Sequence, residues 1–298
     1  MSDGTDFSAW ASRELAEVEA CLDAWVRPDA PAGLGEAMRY GVLDGGKRLR
    51  ALLVLAAATA VHGQRDAALR AACAVELMDA YSLIHDDMPC MDNDVLRRGK
   101  PTVHVRFGEA MAMLAGDAMQ ALAFEVLTPD DTAEVPPALQ AQLCRLLAQA
   151  AGEAGMAGGQ AIDLTSVGQD LDLDTLRDMH RRKTGALLQS SVLMGAACGN
   201  PSPTTRQALL DYGAAIGLAF QVVDDILDVT QASEALGKTA GKDAHHGKPT
   251  YVSLLGLDGA RQQADDLLAL ALAALERSAL PDTSCLHALA KRVVSRDN

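Results

Sequence analysis

The stretch IGLAFQVVDDILDV, residues 216–229, is apolar except for one glutamine and three aspartates. Gly217, Gln221, Asp224 and Asp228 recur at spacings of four, three and four, the period of one helix face. Gln221, Asp224 and Asp228 therefore project together from a helix otherwise built of core residues. A solvated acidic face would carry lysine or arginine three or four positions away, and none lies between 217 and 229. Carboxylates without a nearby cation on an apolar helix call for a bound hard ion. An all-oxygen ligand set suits Mg²⁺.

The helical period continues along almost the whole chain of 298 residues. Hydrophobic residues make up 49% but aromatics only 3%, and alanine and leucine dominate, so helix formers far outweigh strand formers. Polar or Pro/Gly-rich breaks fall at 27–35, 128–137, 165–174, 199–204 and 231–250. None is long or biased enough to serve as an interdomain linker, so residues 1–298 are expected to form a single all-α domain. The last break, QASEALGKTAGKDAHHGKPT, carries three lysines and three glycines, which suits a lid over a site.

A net charge of −14 argues against nucleic acid as a partner and leaves anionic substrates only where basic residues gather. The six cysteines are scattered with no C-x-x-C pair, and the N-terminus lacks the pattern of a signal peptide. No apolar run is expected to reach the roughly 20 residues that span a bilayer, and ALLVLAAATAV (51–61) reads as a buried helix. The expectation is a cytoplasmic protein.

A second acidic cluster echoes the first in YSLIHDDMPCMDNDVLRRGKPT (81–102). Asp86 and Asp92 are six apart and would face different ways on an unbroken helix. Pro89 cannot support a regular helix there, so a distortion or a helix end near it could bring Asp92 round toward Asp86. Aspartates at a helix C-terminus oppose the dipole, as expected where a local rule yields to function. Mg²⁺ takes few protein carboxylates and completes its shell with phosphate and water, so two such motifs can hold a diphosphate between them. Arg97 and Arg98 then suit phosphate oxygens through their guanidinium forks. GGKRLR (45–50) places Lys47, Arg48 and Arg50 after a Gly-Gly turn at a helix start, and HRRKTGALL (180–188) offers Lys183 and Thr184. No Walker A or dinucleotide fingerprint is present.

With MRYGVLDGGKRLR (38–50), GEAMAMLAGDAMQ (108–120), GMAGGQAIDL (155–164), KTGALL (183–188) and LGKTAGKDAHHGKPTY (236–251), these motifs cover nearly the whole chain. Together they resemble the trans-prenyltransferase (polyprenyl synthetase) family, in particular its bacterial farnesyl diphosphate synthases (geranyltranstransferases). The resemblance implies an isoprenoid-synthase-type helical bundle around a deep central cavity, usually a homodimer. It implies Mg²⁺-dependent condensation of isopentenyl diphosphate with dimethylallyl or geranyl diphosphate. Asp86, Asp92 and Asp224 would hold Mg²⁺, with Asp87, Asp225 and Asp228 in support. Arg97, Lys183, Thr184, Gln221, Lys238 and Lys248 would contact the allylic diphosphate or its cation. Gly46, Lys47, Arg50 and Arg98 would hold isopentenyl diphosphate.

At a position where the family usually carries a histidine ligand for isopentenyl diphosphate, AVELMDAYS (74–82) has Asp79. Asp79 either faces the substrate's diphosphate or pairs with Lys47 or Arg50. Tyr81 and Ser82 lie one helical turn before Asp86, along the wall where a growing chain would descend. The same pair occurs in relatives that stop at fifteen carbons, which implies farnesyl diphosphate as the product. Rival readings are a geranyl or geranylgeranyl diphosphate synthase and a non-catalytic partner subunit, the latter resting on Asp79. A class I terpene cyclase ranks below these, because its second motif usually mixes Asn, Ser and Glu.

Overall fold

The computed structural model describes residues 3–43, 45–131, 135–169, 171–230 and 249–296, with side chains from Phe7 onward. Along these residues run α1 (Asp3–Trp25), α2 (Leu34–Val42), α3 (Leu49–Ala60), α4 (Arg65–Asp86), α5 (Val103–Phe107), α6 (Glu109–Leu127) and α7 (Pro137–Ala151). Then follow α8 (Met156–Thr165), α9 (Leu173–His180), α10 (Ala186–Ala197), α11 (Pro203–Thr230), α12 (Tyr251–Arg277) and α13 (Ser284–Val294). The breaks read from the sequence coincide with helix ends. Pro137 and Pro203 open α7 and α11, where a missing N–H costs no intrahelical bond. Residues 231–248, including Lys238, Lys248 and the expected lid, lie outside the described residues.

The all-α expectation holds apart from one short hairpin, in which β1 (Leu96–Arg97) pairs antiparallel with β2 (Lys100–Pro101). Its turn residues Arg98 (φ 52°) and Gly99 (φ 76°) both adopt positive φ, as a two-residue type I′ turn requires. The adjacent arginines therefore take different environments, Arg97 in the ladder and Arg98 at the turn.

One hydrophobic cluster runs through the helices and is built chiefly from alanine, leucine and valine. The expected buried helix is α3, in which Ala51 through Ala58 are all buried. It packs on α4 and α10, while α11 lies against α10 and α12. Small side chains allow the helices to approach closely and to place polar termini with little slack. Tyr212 is fully buried, and its hydroxyl donates to the Leu286 carbonyl (2.7 Å), tying α11 to α13. That tie carries the end of α13 toward the acidic face of α11.

One expectation needs correction. Helix α6, EAMAMLAGDAMQALAFEVL, has 19 residues and a mean hydropathy of 1.3, long and apolar enough to cross a membrane by length and composition. Glu109, Asp117 and Glu125 interrupt its apolar run, so the sequence carries no unbroken apolar stretch there. Only 39% of its most apolar window is buried, and it packs along α4 while exposing Met113 and Leu114.

Candidate active site

Helix α4 ends at Asp86, and the chain then folds back in tight turns around Pro89. The Asp92 amide donates to the Asp86 carbonyl (2.9 Å), and the Asp94 amide to that of Asp87 (3.0 Å). Asp92 thus returns beside Asp86, as the proline implied. Burial raises the Asp86 carboxyl to about 6, and the nearby charge of Asp92 adds to this, while Lys183 and Arg97 oppose it. Asp86 therefore lies where a further cation is favoured. Asp87 turns inward, 2% exposed, and accepts from Arg97 Nε (2.9 and 3.1 Å) and Nη2 (2.7 Å). The Asp87–Arg97 fork locks the hairpin onto the end of α4. Its two members, expected in support of the metal ligands and at the allylic diphosphate, are bound to each other here.

Across from this motif, the π turn Arg181–Gly185 carries Lys183 and Thr184. A single π turn within a helical run often marks a functional site. Gly159 of α8 lets the two segments touch, because a Cβ there would sit 2.2 Å from the Lys183 backbone nitrogen. Lys183 Nζ pairs with buried Asp163 (2.6 Å) while its charge also reaches Asp86. Thr184 donates to Gln221 Oε1 (3.2 Å) on α11, and Gln221 Nε2 donates to Asp225 (2.9 Å). This chain of contacts joins the two acidic motifs through the π turn.

The aspartates of α11 separate by role. Asp225 accepts the Tyr251 amide (2.8 Å), so it satisfies a donor at the first turn of α12 and faces the core. Asp228 is also buried. Asp224 stays partly exposed and accepts from Arg296 Nη2 at 2.5 Å. The reading that this face has no internal cation is therefore corrected: the cation arrives from 72 residues downstream.

The basic segment before α3 splits in the same way. Arg48 is buried and bonds Glu19 (2.7 Å), Glu76 (3.3 Å) and the Val42 carbonyl, so it holds the fold together. Gly46 (φ 131°) admits the guanidinium of Arg98, which a Cβ would meet at 2.9 Å; Arg98 also donates to the Gly45 carbonyl. Lys47 titrates below its ordinary value through burial, with Arg296 and Arg292 adding to the effect and Asp224 opposing it. Arg50 pairs with Asp79 at 3.1 Å, each side chain only 16% exposed. Of the two readings of Asp79, the structure selects the pair with Arg50.

These residues line a cavity of about 560 Å³, which Phe220, Arg292 and Arg296 also line. Buried Nε atoms of Arg50 and Arg296 find no hydrogen-bond partner among the described residues. Unmatched buried donors are costly, and an oxyanion in this cavity would satisfy them. Sequence reasoning missed Arg292 and Arg296. Their four-residue spacing was visible, but basic residues near a helix C-terminus ordinarily answer the dipole.

Tyr81 is half-buried, edge-on to His85 with ring centroids 5.6 Å apart. Ser82 Oγ donates to the Asp79 carbonyl (2.8 Å). Among the described residues no three His, Cys, Asp or Glu side chains converge as a preformed metal cage. Mg²⁺ held by one or two carboxylates per motif and by substrate phosphate needs no such cage. The all-oxygen donors Asp86, Asp92 and Asp224 fit that ion.

The polyprenyl synthetase family profile matches residues 31–280. Farnesyl diphosphate synthase of Escherichia coli is 48% identical over 265 residues, 88% of this chain and 89% of that one. Geranylgeranyl pyrophosphate synthase 11, chloroplastic, of Arabidopsis thaliana is 45% identical over 296 residues, 98% of this chain and 83% of the relative. A Helicobacter pylori geranyltransferase, solved with magnesium and isoprenyl diphosphate, superposes with a TM-score of 0.83 at 34% identity. That match covers 96% of this chain and 95% of the other.

Proposed function

The chain belongs to the polyprenyl synthetase family and is a trans-prenyltransferase that elongates prenyl chains; we propose that it does so with Mg²⁺, through the residues above, to make farnesyl diphosphate. The observation that carries the site assignment is the pairing of two chemically different anion positions. One is proposed to lie between Asp86 and Asp92 on one side and Asp224 on the other, a reading supported by the Lys183 charge acting on Asp86 and by the Thr184–Gln221 contact that ties the same π turn to α11. The other is the basic cavity of Gly46, Lys47, Arg50 and Arg98, with its unmatched arginine donors.

In this reading Asp86, Asp92 and Asp224 hold Mg²⁺, which supplies charge neutralisation to the departing allylic diphosphate. Lys183, and Arg97 once drawn from Asp87, add positive charge at the leaving oxygens, where it strengthens as the C–O bond ionises. Lys238 and Lys248 are proposed to close over the same diphosphate. Lys47, Arg50 and Arg98 hold isopentenyl diphosphate with its double bond toward the allylic carbon. The new C–C bond forms from that double bond, and the proton lost passes to the released diphosphate. Thr184 and Gln221 orient the site, and apolar walls keep water from the cation. Asp87 and Asp225 act by positioning Arg97 and α12. Tyr81 and Ser82 set the depth available to the chain.

Residues 1–298 act as one domain in this proposal. The exposed apolar side of α6 is assigned to a second copy of the chain, since Met113 and Leu114 on one helix invite burial. No disulfide joins the cysteines among the described residues, which suits a reducing cytoplasm. The test is incubation with labelled isopentenyl diphosphate, Mg²⁺ and dimethylallyl, geranyl or farnesyl diphosphate in turn. Accumulation of a fifteen-carbon product is expected. A twenty-carbon product would move the assignment to the geranylgeranyl synthases, and no product with any allylic partner would overturn the elongating role.

A further inference from the structure

Two cysteines far apart in the chain meet where α1 packs on α4. Cys73 is fully buried on α4, and its Sγ donates to the Val18 carbonyl of α1 at 3.8 Å. Cys21 lies one turn beyond Val18 on the same helix face and is only partly buried. Its thiol shares a hydrogen bond with that of Cys73. The Cys73 proton thus has two acceptors on α1, a carbonyl and a sulfur. When Cys21 ionises, that proton turns to the new thiolate and stabilises it. Cys21 accordingly titrates at about 7, through Cys73 first and with help from Arg65 and Arg70 on α4, against the opposing effects of burial and Glu17. Burial pushes Cys144 and Cys198 the other way, and Cys73 is held protonated by Cys21 and by burial.

The pair sits beside a structural knot. Arg48, just before α3, bonds Glu19 on α1 (2.7 Å) and Glu76 on α4 (3.3 Å). Cys21 is two residues from Glu19, and Cys73 is three from Glu76. A bond between the two sulfurs would therefore repeat the Arg48 bridge covalently. The loop it closes carries α2, the segment 45–50 and α3. Sulfurs already in hydrogen-bond contact lie within reach of such a bond, which cysteines on separate helices seldom do.

We propose that Cys21 is a peroxide-reactive modification site with Cys73 as its resolving thiol, the two closing reversibly into a disulfide that clamps α1 to α4. The Cys21 thiolate attacks one oxygen of hydrogen peroxide and the O–O bond breaks. Cys21 becomes a sulfenic acid, and the hydroxide released takes up a proton as water. The Cys73 sulfur then attacks the Cys21 sulfur and the S–O bond breaks. The departing hydroxide leaves with the Cys73 proton as a second water. The two thiols give up two electrons in all, and the peroxide accepts them. Excess small-molecule thiol reopens the bond by exchange. Transient disulfides of this kind are the usual form in a reducing compartment.

The experiment exposes the reduced full chain to hydrogen peroxide, alkylates the remaining thiols and maps the peptides by mass spectrometry. One linked pair is expected, Cys21 with Cys73, and dithiothreitol should remove it. The oxidised protein should melt about 5 °C above the reduced one, because a bond across a loop of roughly 50 residues restricts the unfolded chain. In Cys73→Ala, dimedone should trap a lasting sulfenic acid on Cys21. The midpoint of Cys21 alkylation against pH should also rise in that variant, from about 7 toward the ordinary thiol range. A cysteine that merely fills space would move neither reading. Cys21→Ser, at a partly exposed position, should form no linked pair and should melt at the same temperature with or without peroxide, which keeps the test sound if Cys73→Ala folds poorly. Linkage of any other pair, a Cys21 still open to alkylation after peroxide, or equal alkylation rates for Cys21 and Cys144 at pH 7 would overturn the site. An oxidised protein that melts no higher than the reduced one would overturn the clamp.

Discussion

Replacing Asp79 by histidine perturbs one charge in the isopentenyl diphosphate cavity and leaves the acidic motifs untouched. Asp79 lies 3.1 Å from Arg50, and both side chains are largely buried. At an effective dielectric near 20, unit charges at that distance interact by about 5 kcal/mol, a ceiling on what a substrate must overcome to recruit Arg50. Water in the open cavity and the cations Lys47, Arg292 and Arg296 screen the aspartate. The net penalty on diphosphate binding is then about 1.4–3 kcal/mol, or roughly ten- to more than a hundredfold in affinity. Histidine removes the competitor and offers an N–H donor of its own. Glu76, buried beside both groups, is also relieved of a like charge, because Asp79 contributes to raising its carboxyl after burial itself. Steady-state kinetics at saturating geranyl diphosphate should show KM for isopentenyl diphosphate falling at least tenfold in Asp79→His. KM for geranyl diphosphate should hardly move, since its proposed ligands are intact. A wild-type KM already in the micromolar range, with no gain in the variant, would refute the electrostatic argument and make Asp79 a neutral substitution.

Asp86→Ala and Asp224→Ala should each abolish turnover while circular dichroism stays native, and excess EDTA should do the same to the wild type; activity surviving EDTA would sink the Mg²⁺ mechanism. Asp86→Asn should stabilise the metal-free protein. Its carboxyl titrates near 6 when folded against 3.8 in the ordinary range, so the ionised form opposes folding above pH 6 and the effect vanishes below the unfolded value. Chemical denaturation should register a gain of about 1–3 kcal/mol at pH 7 and none near pH 3.5. Ser82→Phe should shorten the product and Tyr81→Ala should lengthen it, read by chromatography of the dephosphorylated prenols; an unchanged distribution in both places the floor elsewhere. Leu114→Arg on the exposed side of α6 should turn a dimer into a monomer by light scattering, and a wild type that is already monomeric would refute that assignment.

Local physics made much of the molecule legible. A helical period, alanine-rich composition and Pro/Gly breaks act over a few residues, so the positions of α3, α7 and α11 could be read directly. Pro89 likewise announced the end of α4 and the return of Asp92 to Asp86. The two acidic motifs stood out because they violate local rules on apolar helices. What remained hidden was which partner each charge would find. Asp224 meets Arg296, Asp225 meets the first amide of α12, Arg48 meets Glu76, and Asp79 meets Arg50. These pairings span tens of residues and depend on how helices pack and which rotamers their neighbours permit. Periodicity places a side chain on a face but does not say what lies opposite. The same aspartate pair on α11 therefore yields one partly exposed carboxylate that meets Arg296 and one buried carboxylate that caps the start of α12. That division is decided by the approach of α12 and α13, and by nothing within the motif itself.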